Sequence, residues 1–143
     1  MDIVNASILD LAALRKLEKE VFDRDAWPLI DLMAVLTFSN VIRLKAVEAG
    51  RMIGFVAGDP RPNDGWGWIA TIGVDPNFRR RGIGTALLHA CEGQLGVPRS
   101  RLTVRMSNRG AIQLYEREGY ATIDVWQAYY GDGEDAIVME KAL

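Results

Sequence analysis

Apolar and polar positions follow two rhythms along this chain, and the switches between them mark its elements. Ile3 and Val4 open with a short strand. Over residues 9–21 the apolar positions Leu11, Leu14, Leu17 and Val21 recur at helical spacing, with Ser7 and Asp10 as candidate caps. Trp27-Pro28 breaks the chain, and residues 29–38 read as a second, short helix. Strands are expected over 41–48 and 52–58, a hairpin turning at Ala49-Gly50-Arg51. The turn-rich stretch 59–65 follows, then a strand over 66–74 that Pro76 ends. Residues 82–95 return to helical spacing and stop at Gly96-Val97-Pro98. A strand over 101–106 leads to a helix from Arg109 to Arg117, capped by Ser107 or Asn108 and closed at Gly119. Strands over 120–129 and 136–141 complete the chain around a turn-rich loop.

The order β-α-α-β-β-β-α-β-α-β-β predicts an α+β fold. Its mixed sheet of about seven strands is antiparallel in its first half, with a β-α-β crossover in the middle. Without a repeat or linker, residues 1–143 read as a single domain long enough to bury its own core.

Charge and cysteine content narrow the partners. A formal net charge of −2 excludes a surface devoted to nucleic acid, so any positive field is local. Cys91 stands alone, which rules out an intrachain disulfide and suits a reducing, cytoplasmic setting. One histidine and one cysteine cannot build a His/Cys metal cluster, and no metal is expected. Neither a signal peptide nor an apolar run of membrane length is visible, so no membrane partner is expected.

The densest positive spot is Arg79-Arg80-Arg81, followed by Gly82-Ile83-Gly84-Thr85 at the mouth of a predicted helix. A helix start leaves backbone N–H groups unpaired and partially positive, which favours anions. Gly82 and Gly84 lack Cβ and let an anion approach the backbone, while the arginines add charge in the same place. The segment is no Walker loop, since it has no lysine. It is no dinucleotide fingerprint either, since Leu87 stands where a small residue is required.

Arg79-Arg80-Arg81-Gly82-Ile83-Gly84 reproduces Arg/Gln-x-x-Gly-x-Gly/Ala, and with this motif and the element order the chain resembles the GNAT superfamily of N-acetyltransferases. Within it the chain is most similar to the RimI-like branch, the ribosomal-protein N-terminal alanine acetyltransferases. The residues that carry this are Leu102-Thr-Val-Arg-Met-Ser-Asn108, Ala111-Ile-Gln-Leu-Tyr-Glu-Arg-Glu-Gly-Tyr120, Tyr129-Tyr130 and Gly133-Glu-Asp-Ala136. The resemblance implies that acetyl-CoA enters where the strands 66–74 and 101–106 splay apart. The pantetheine arm would pair with the backbone of Ile72, Gly73 and Val74, and the pyrophosphate of coenzyme A would sit on amides from Arg81 to Thr85. Asn108 would cap its helix and bond the pantetheine. Tyr115 would face the sulfur and donate a proton to the leaving thiolate.

The base is where the chain departs from the branch, which commonly has a glutamate at the position of Thr103. Three routes stay open: a water positioned by Thr103, another carboxylate such as Glu48, Asp59 or Asp64, or an acceptor amine that needs no base. A peptide α-amine, with a pKa of about 7.7–8.0, suits the last route better than a lysine at about 10.4.

By position, Tyr129 and Tyr130 match the tyrosine pair that holds the first residues of a peptide in relatives, and Trp27 lies in a segment that faces the acceptor. The acidic loop Asp132, Glu134, Asp135 is either an attractor of cationic amines or a solvated turn. His89 reads as a surface residue, Cys91 as a small core residue, and Trp66 and Trp68 as at least partly packing. The expected partner is a protein or peptide N-terminus, with a small amine or a non-catalytic acyl-CoA-binding role as alternatives, in a monomer or homodimer.

Overall fold

Eleven main elements follow the predicted order in the computed structural model, which describes residues 1–22 and 25–143. They are β1 (Asp2–Asn5), α1 (Leu11–Phe22), α2 (Leu29–Thr37), β2 (Ile42–Glu48), β3 (Arg51–Arg61), β4 (Trp66–Val74), α3 (Ile83–Leu95), β5 (Arg99–Arg105), α4 (Arg109–Arg117), β6 (Ala121–Trp126) and β7 (Ala136–Ala142). The seven strands form one mixed sheet in the order β1-β2-β3-β4-β5-β7-β6. β1–β2, β2–β3, β5–β7 and β6–β7 pair antiparallel. β4 and β5 pair parallel over three rungs, Trp66↔Arg99 to Trp68↔Arg101. Parallel neighbours need a crossover, and α3 supplies it.

Local chemistry moves some boundaries from the predicted ones. The first helix starts at Leu11 because Ser7 caps a 3-10 turn over Ile8–Asp10. There the Leu9 N–H donates to Ser7 Oγ at 3.3 Å and the Ser7 N–H donates to Asp10 Oδ2 at 2.8 Å, a reciprocal cap. β6 stops at Trp126, short of the expected 129, because the chain reverses there. Ala128 takes a left-handed φ of 51°, and its N–H donates to Asp135 Oδ1 at 2.8 Å.

The chain divides into two compact units, Met1–Pro60 with Ile69–Gly96, and Arg61–Trp68 with Val97–Leu143. In the first, β3 alternates its faces. Phe55 and Ala57 join Leu14, Leu17, Leu32, Val35 and Leu36 of α1 and α2 in a buried cluster. Gly54 and Gly58 let α3 close on the strand: a Cβ at Gly54 would lie 2.9 Å from Leu87 Cδ1, and one at Gly58 would lie 2.6 Å from Cys91 Sγ. The buried face of α3 runs through Ile83, Leu87, Leu88, Cys91, Glu92 and Leu95. Gln94 is exposed and Glu92 is buried.

In the second unit, β7 is covered on both edges by β5 and β6. Leu102, Val104, Val138, Met139 and Tyr120 are buried there, and Ser100 Oγ and the Tyr120 hydroxyl lie within 2.7 Å. Arg101 and Arg99 both reach Glu140, at 2.6 and 2.7 Å. Among the described residues, no helix is long and apolar enough to cross a membrane.

Candidate active site

The junction of β4 and α3 is built by one buried carboxylate. Asp75, at 1% exposure, accepts from the Asn77 N–H at 2.9 Å and from Arg51 at 2.8 Å, while its own N–H donates to the Ile53 carbonyl at 2.8 Å. These bonds fix a 3-10 turn over Pro76–Phe78. The chain then passes Arg80 at φ 65° and Gly82 at φ 74°, two left-handed residues separated by one, and enters α3. Such alternation turns successive N–H groups toward one concavity, a shape suited to anions. Gly82 supplies no side-chain cap, and the first intrahelical bond is from Ala86 N–H to the Gly82 carbonyl at 3.0 Å. The N–H groups of the first turn, Ile83 to Thr85, are therefore not used within the helix. A Cβ at Gly84 would meet only Val74 Cγ2, at 3.6 Å, an ordinary contact. The fold itself does not demand glycine there.

The three arginines are exposed. Arg81 forms a double hydrogen bond with Glu48, at 2.9 and 3.1 Å, and lies 5.3 Å from the Phe78 ring centre. The hydrogen bond from Arg81 holds Glu48 below the usual carboxylate range, which disfavours Glu48 as a base near neutral pH. Ile72, Gly73 and Val74 form the half-buried end of β4.

One group that the sequence reading passed over sits beside that strand end. Glu18 falls on the buried stripe of α1 with Leu14 and Leu17 and is 3% exposed. Thr71 Oγ1 donates to its Oε1 across a long 3.5 Å, and its Oε2 has no hydrogen-bond partner among the described residues. Burial pushes its carboxyl up to about 7, against the smaller pull of the Thr71 hydroxyl. Glu18 borders a small cavity, with room for about one water molecule, together with Leu14, Leu17, Val21, Phe22, Phe55, Thr71 and Gly73. The signal was legible: four residues after Leu14 and three before Val21, Glu18 interrupts an apolar stripe with a charge.

In the second unit, the Asn108 side chain accepts from the Ala111 N–H at 3.2 Å and caps α4. Tyr115, half-buried on α4, packs edge-on against Tyr120 at 5.8 Å. Burial, with a smaller contribution from Tyr130, pushes the Tyr115 phenol up to about 12. Thr103 stands on β5 opposite Val138.

An aromatic series runs from Trp68 to Trp126 (5.8 Å), to Tyr129 (5.5 Å), to Tyr130 (5.1 Å). Trp126 is a member the sequence reading missed, because a lone tryptophan near a strand end carries no motif. Arg105 lies 4.3 Å over the Tyr130 ring and binds Asp132 at 3.0 Å and Glu134 at 2.8 Å. Hydrogen bonds from Ser107 and Arg105 hold Glu134 below the usual carboxylate range. The acidic loop is thus a structural brace, with Asp135 engaged by Ala128. Trp27 belongs to the first unit, where it packs against the α1–α2 cluster. Trp66 lies under the Arg101 guanidinium at 3.8 Å. His89 is exposed, and burial pushes the Cys91 thiol up to about 12, which makes it inert.

Residues 10–120 match the model of the acetyltransferase (GNAT) family. The chain belongs to this family. Over 81 residues it is 41% identical to an N-alpha-acetyltransferase of Sulfurisphaera tokodaii, a match covering 54% of this chain and 48% of that one. The chain thus spans about half the length of the first curated relatives it matches. A relative from Methanocaldococcus jannaschii, described as an uncharacterized N-acetyltransferase, is 33% identical over 99% of this chain and 91% of its own. Among solved structures, the ribosomal-protein-S18-alanine N-acetyltransferase from Escherichia coli superposes with a TM-score of 0.89 at 28% identity, covering 99% of this chain and 92% of that one.

Proposed function

We propose that this chain is an N-acetyltransferase that moves an acetyl group from acetyl-CoA to the α-amine of a protein or peptide N-terminus. The observation that carries the reading is the β4–α3 junction. Two left-handed residues, Arg80 and Gly82, lead into a helix start with no side-chain cap and with Gly84 in its first turn. That arrangement suits a diphosphate, and relatives of the chain are named N-alpha-acetyltransferase and ribosomal-protein-S18-alanine N-acetyltransferase.

In this reading the amides of residues 81–85 bind the coenzyme A pyrophosphate, with Arg79, Arg80 and Arg81 adding charge. The backbone of Ile72, Gly73 and Val74 pairs with the pantetheine arm and orients the thioester, whose carbonyl is polarised by a strand N–H. The acceptor nitrogen attacks the thioester carbon, the C–N bond forms, and the C–S bond breaks.

Tyr115 serves the departing sulfur. With its phenol near 12 and a thiol near 8.5, complete transfer ahead of bond breaking is uphill by about 5 kcal/mol. Tyr115 therefore donates a hydrogen bond to the sulfur as charge develops and releases its proton only as the bond breaks. The aromatic series with Tyr129 and Tyr130 offers rigid apolar surface for the first residues of a peptide.

The test mixes protein and acetyl-CoA with N-terminal peptides, lysine peptides and small amines, and follows free thiol. Turnover preferring peptide α-amines is expected. Turnover with small amines alone would move the acceptor class, and heat with acetyl-CoA without turnover would leave a binding protein.

A further inference from the structure

The geometry points to Glu18 as the group that takes the proton from the acceptor amine, through a water held in the cavity between α1 and β4. The inference rests on the transferase reading above and supplies the base that Thr103 cannot.

Three observations carry it. A carboxylate oxygen buried without a partner is costly, and native folds retain few such groups without a use for them. Glu18 holds one, Oε2, on a helix face otherwise made of leucine and valine. Second, the cavity that Glu18 lines is bordered by Thr71 and Gly73 of β4, which flank Ile72 in the segment proposed to hold the pantetheine. The carboxylate is thereby placed beside the strand that aims the acyl group. Third, the lining is otherwise uncharged. From α1 it presents Leu14, Leu17, Val21 and Phe22, from β3 Phe55, and from β4 Thr71 and Gly73, so among the described lining residues no second titratable group shares the proton. A carboxyl shifted up to about 7 is poised to accept a proton at neutral pH.

The step balances as follows. The ammonium form of the acceptor gives one proton through the water to the carboxylate, leaving a neutral amine and a protonated Glu18. The amine lone pair forms the C–N bond as the C–S bond breaks. Tyr115 gives its proton to the departing sulfur and is reprotonated by the second proton on nitrogen, yielding amide and free thiol, and Glu18 releases its proton to solvent.

A purely structural Glu18, one that only ties α1 to Thr71, would be replaced well by glutamine. Glu18→Gln is therefore assayed for kcat and kcat/KM from pH 5.5 to 9 with acetyl-CoA and the best N-terminal peptide, alongside calorimetry with acetyl-CoA. The expected result is a fall in kcat on the order of a hundredfold. The activity limb near pH 7 is lost, and acetyl-CoA affinity stays within about twofold. Thr71→Val removes the hydroxyl that pulls the carboxyl down, so the acidic limb of an otherwise active enzyme moves to higher pH.

Wild-type kcat and an unchanged limb in Glu18→Gln would overturn the assignment while leaving the transferase intact. An unshifted limb in Thr71→Val does the same if Glu18→Gln cannot be purified folded. Wild-type protein giving neither thiol release with any acceptor nor heat with acetyl-CoA would overturn the transferase reading and this assignment together.

Discussion

Removing the Glu18 charge should make the protein more stable at alkaline pH and much less so in acid. The carboxyl is pushed up from 4.5 to about 7 in the folded chain. Between those values the folded state holds a proton that the unfolded state has released, so stability falls as pH rises. Linkage with these two values gives a penalty of roughly 1 kcal/mol at pH 5 and roughly 3 kcal/mol at pH 8. Glu18→Gln escapes both, while any cost of seating the amide is the same at both pH values. The gain should therefore be roughly 2 to 3 kcal/mol larger at pH 8 than at pH 5. With an unfolding entropy of about 2.1 cal/mol/K per residue, 143 residues convert this to a melting-temperature difference of roughly 7–10 °C. Calorimetric melts of both proteins at the two pH values measure it. A mutant–wild-type gap that does not change with pH would refute the buried, proton-holding carboxyl.

Three further outcomes are expected. Gly84→Ala should fold with an unchanged melt, since the added carbon meets only Val74 at 3.6 Å, yet lose tenfold or more in CoA affinity by calorimetry, and Gly84→Val should abolish it; unchanged affinity in a folded variant would remove the phosphate assignment. Tyr115→Phe should lower kcat about tenfold or more with acetyl-CoA affinity nearly intact, and equal steady-state rates would remove Tyr115 from the chemistry. Asp75→Ala, which strands Arg51 and the Asn77 N–H, should cost about 2 kcal/mol in urea unfolding and weaken CoA binding through the loosened loop.

The order of elements was legible because each is marked locally. The apolar stripe of α1, the Pro-Gly punctuation and the Asn108 cap are all short-range signals. The arginine–glycine motif was legible for the same reason: its chemistry lies within seven consecutive residues, 79–85. What stayed hidden depends on residues distant in sequence. The pairing of Arg81 with Glu48, 33 positions apart, and of Arg105 with Asp132 and Glu134 needs strand register, which no local pattern fixes. So does the value of Glu18: its position on the stripe is visible, but its burial requires knowing that β4 closes over it. The buried face of α3, which takes in Glu92, is not legible locally, because both sides of that helix carry apolar residues and only the glycines of β3 decide which side closes.

The Arg81–Glu48 contact sets a rule for ligand entry. A guanidinium paired fork-to-fork with a carboxylate is held in one rotamer while its other N–H donors stay open. An incoming diphosphate would exchange one anion for another and would not have to recruit a loose side chain. The rigidity is prepaid, while the swap subtracts the strength of the displaced contact from the affinity gained. Glu48 thus works as a resident competitor. Neutralising it should tighten the grip on polyanions generally and erode discrimination between a well-shaped diphosphate and any other anion that happens by.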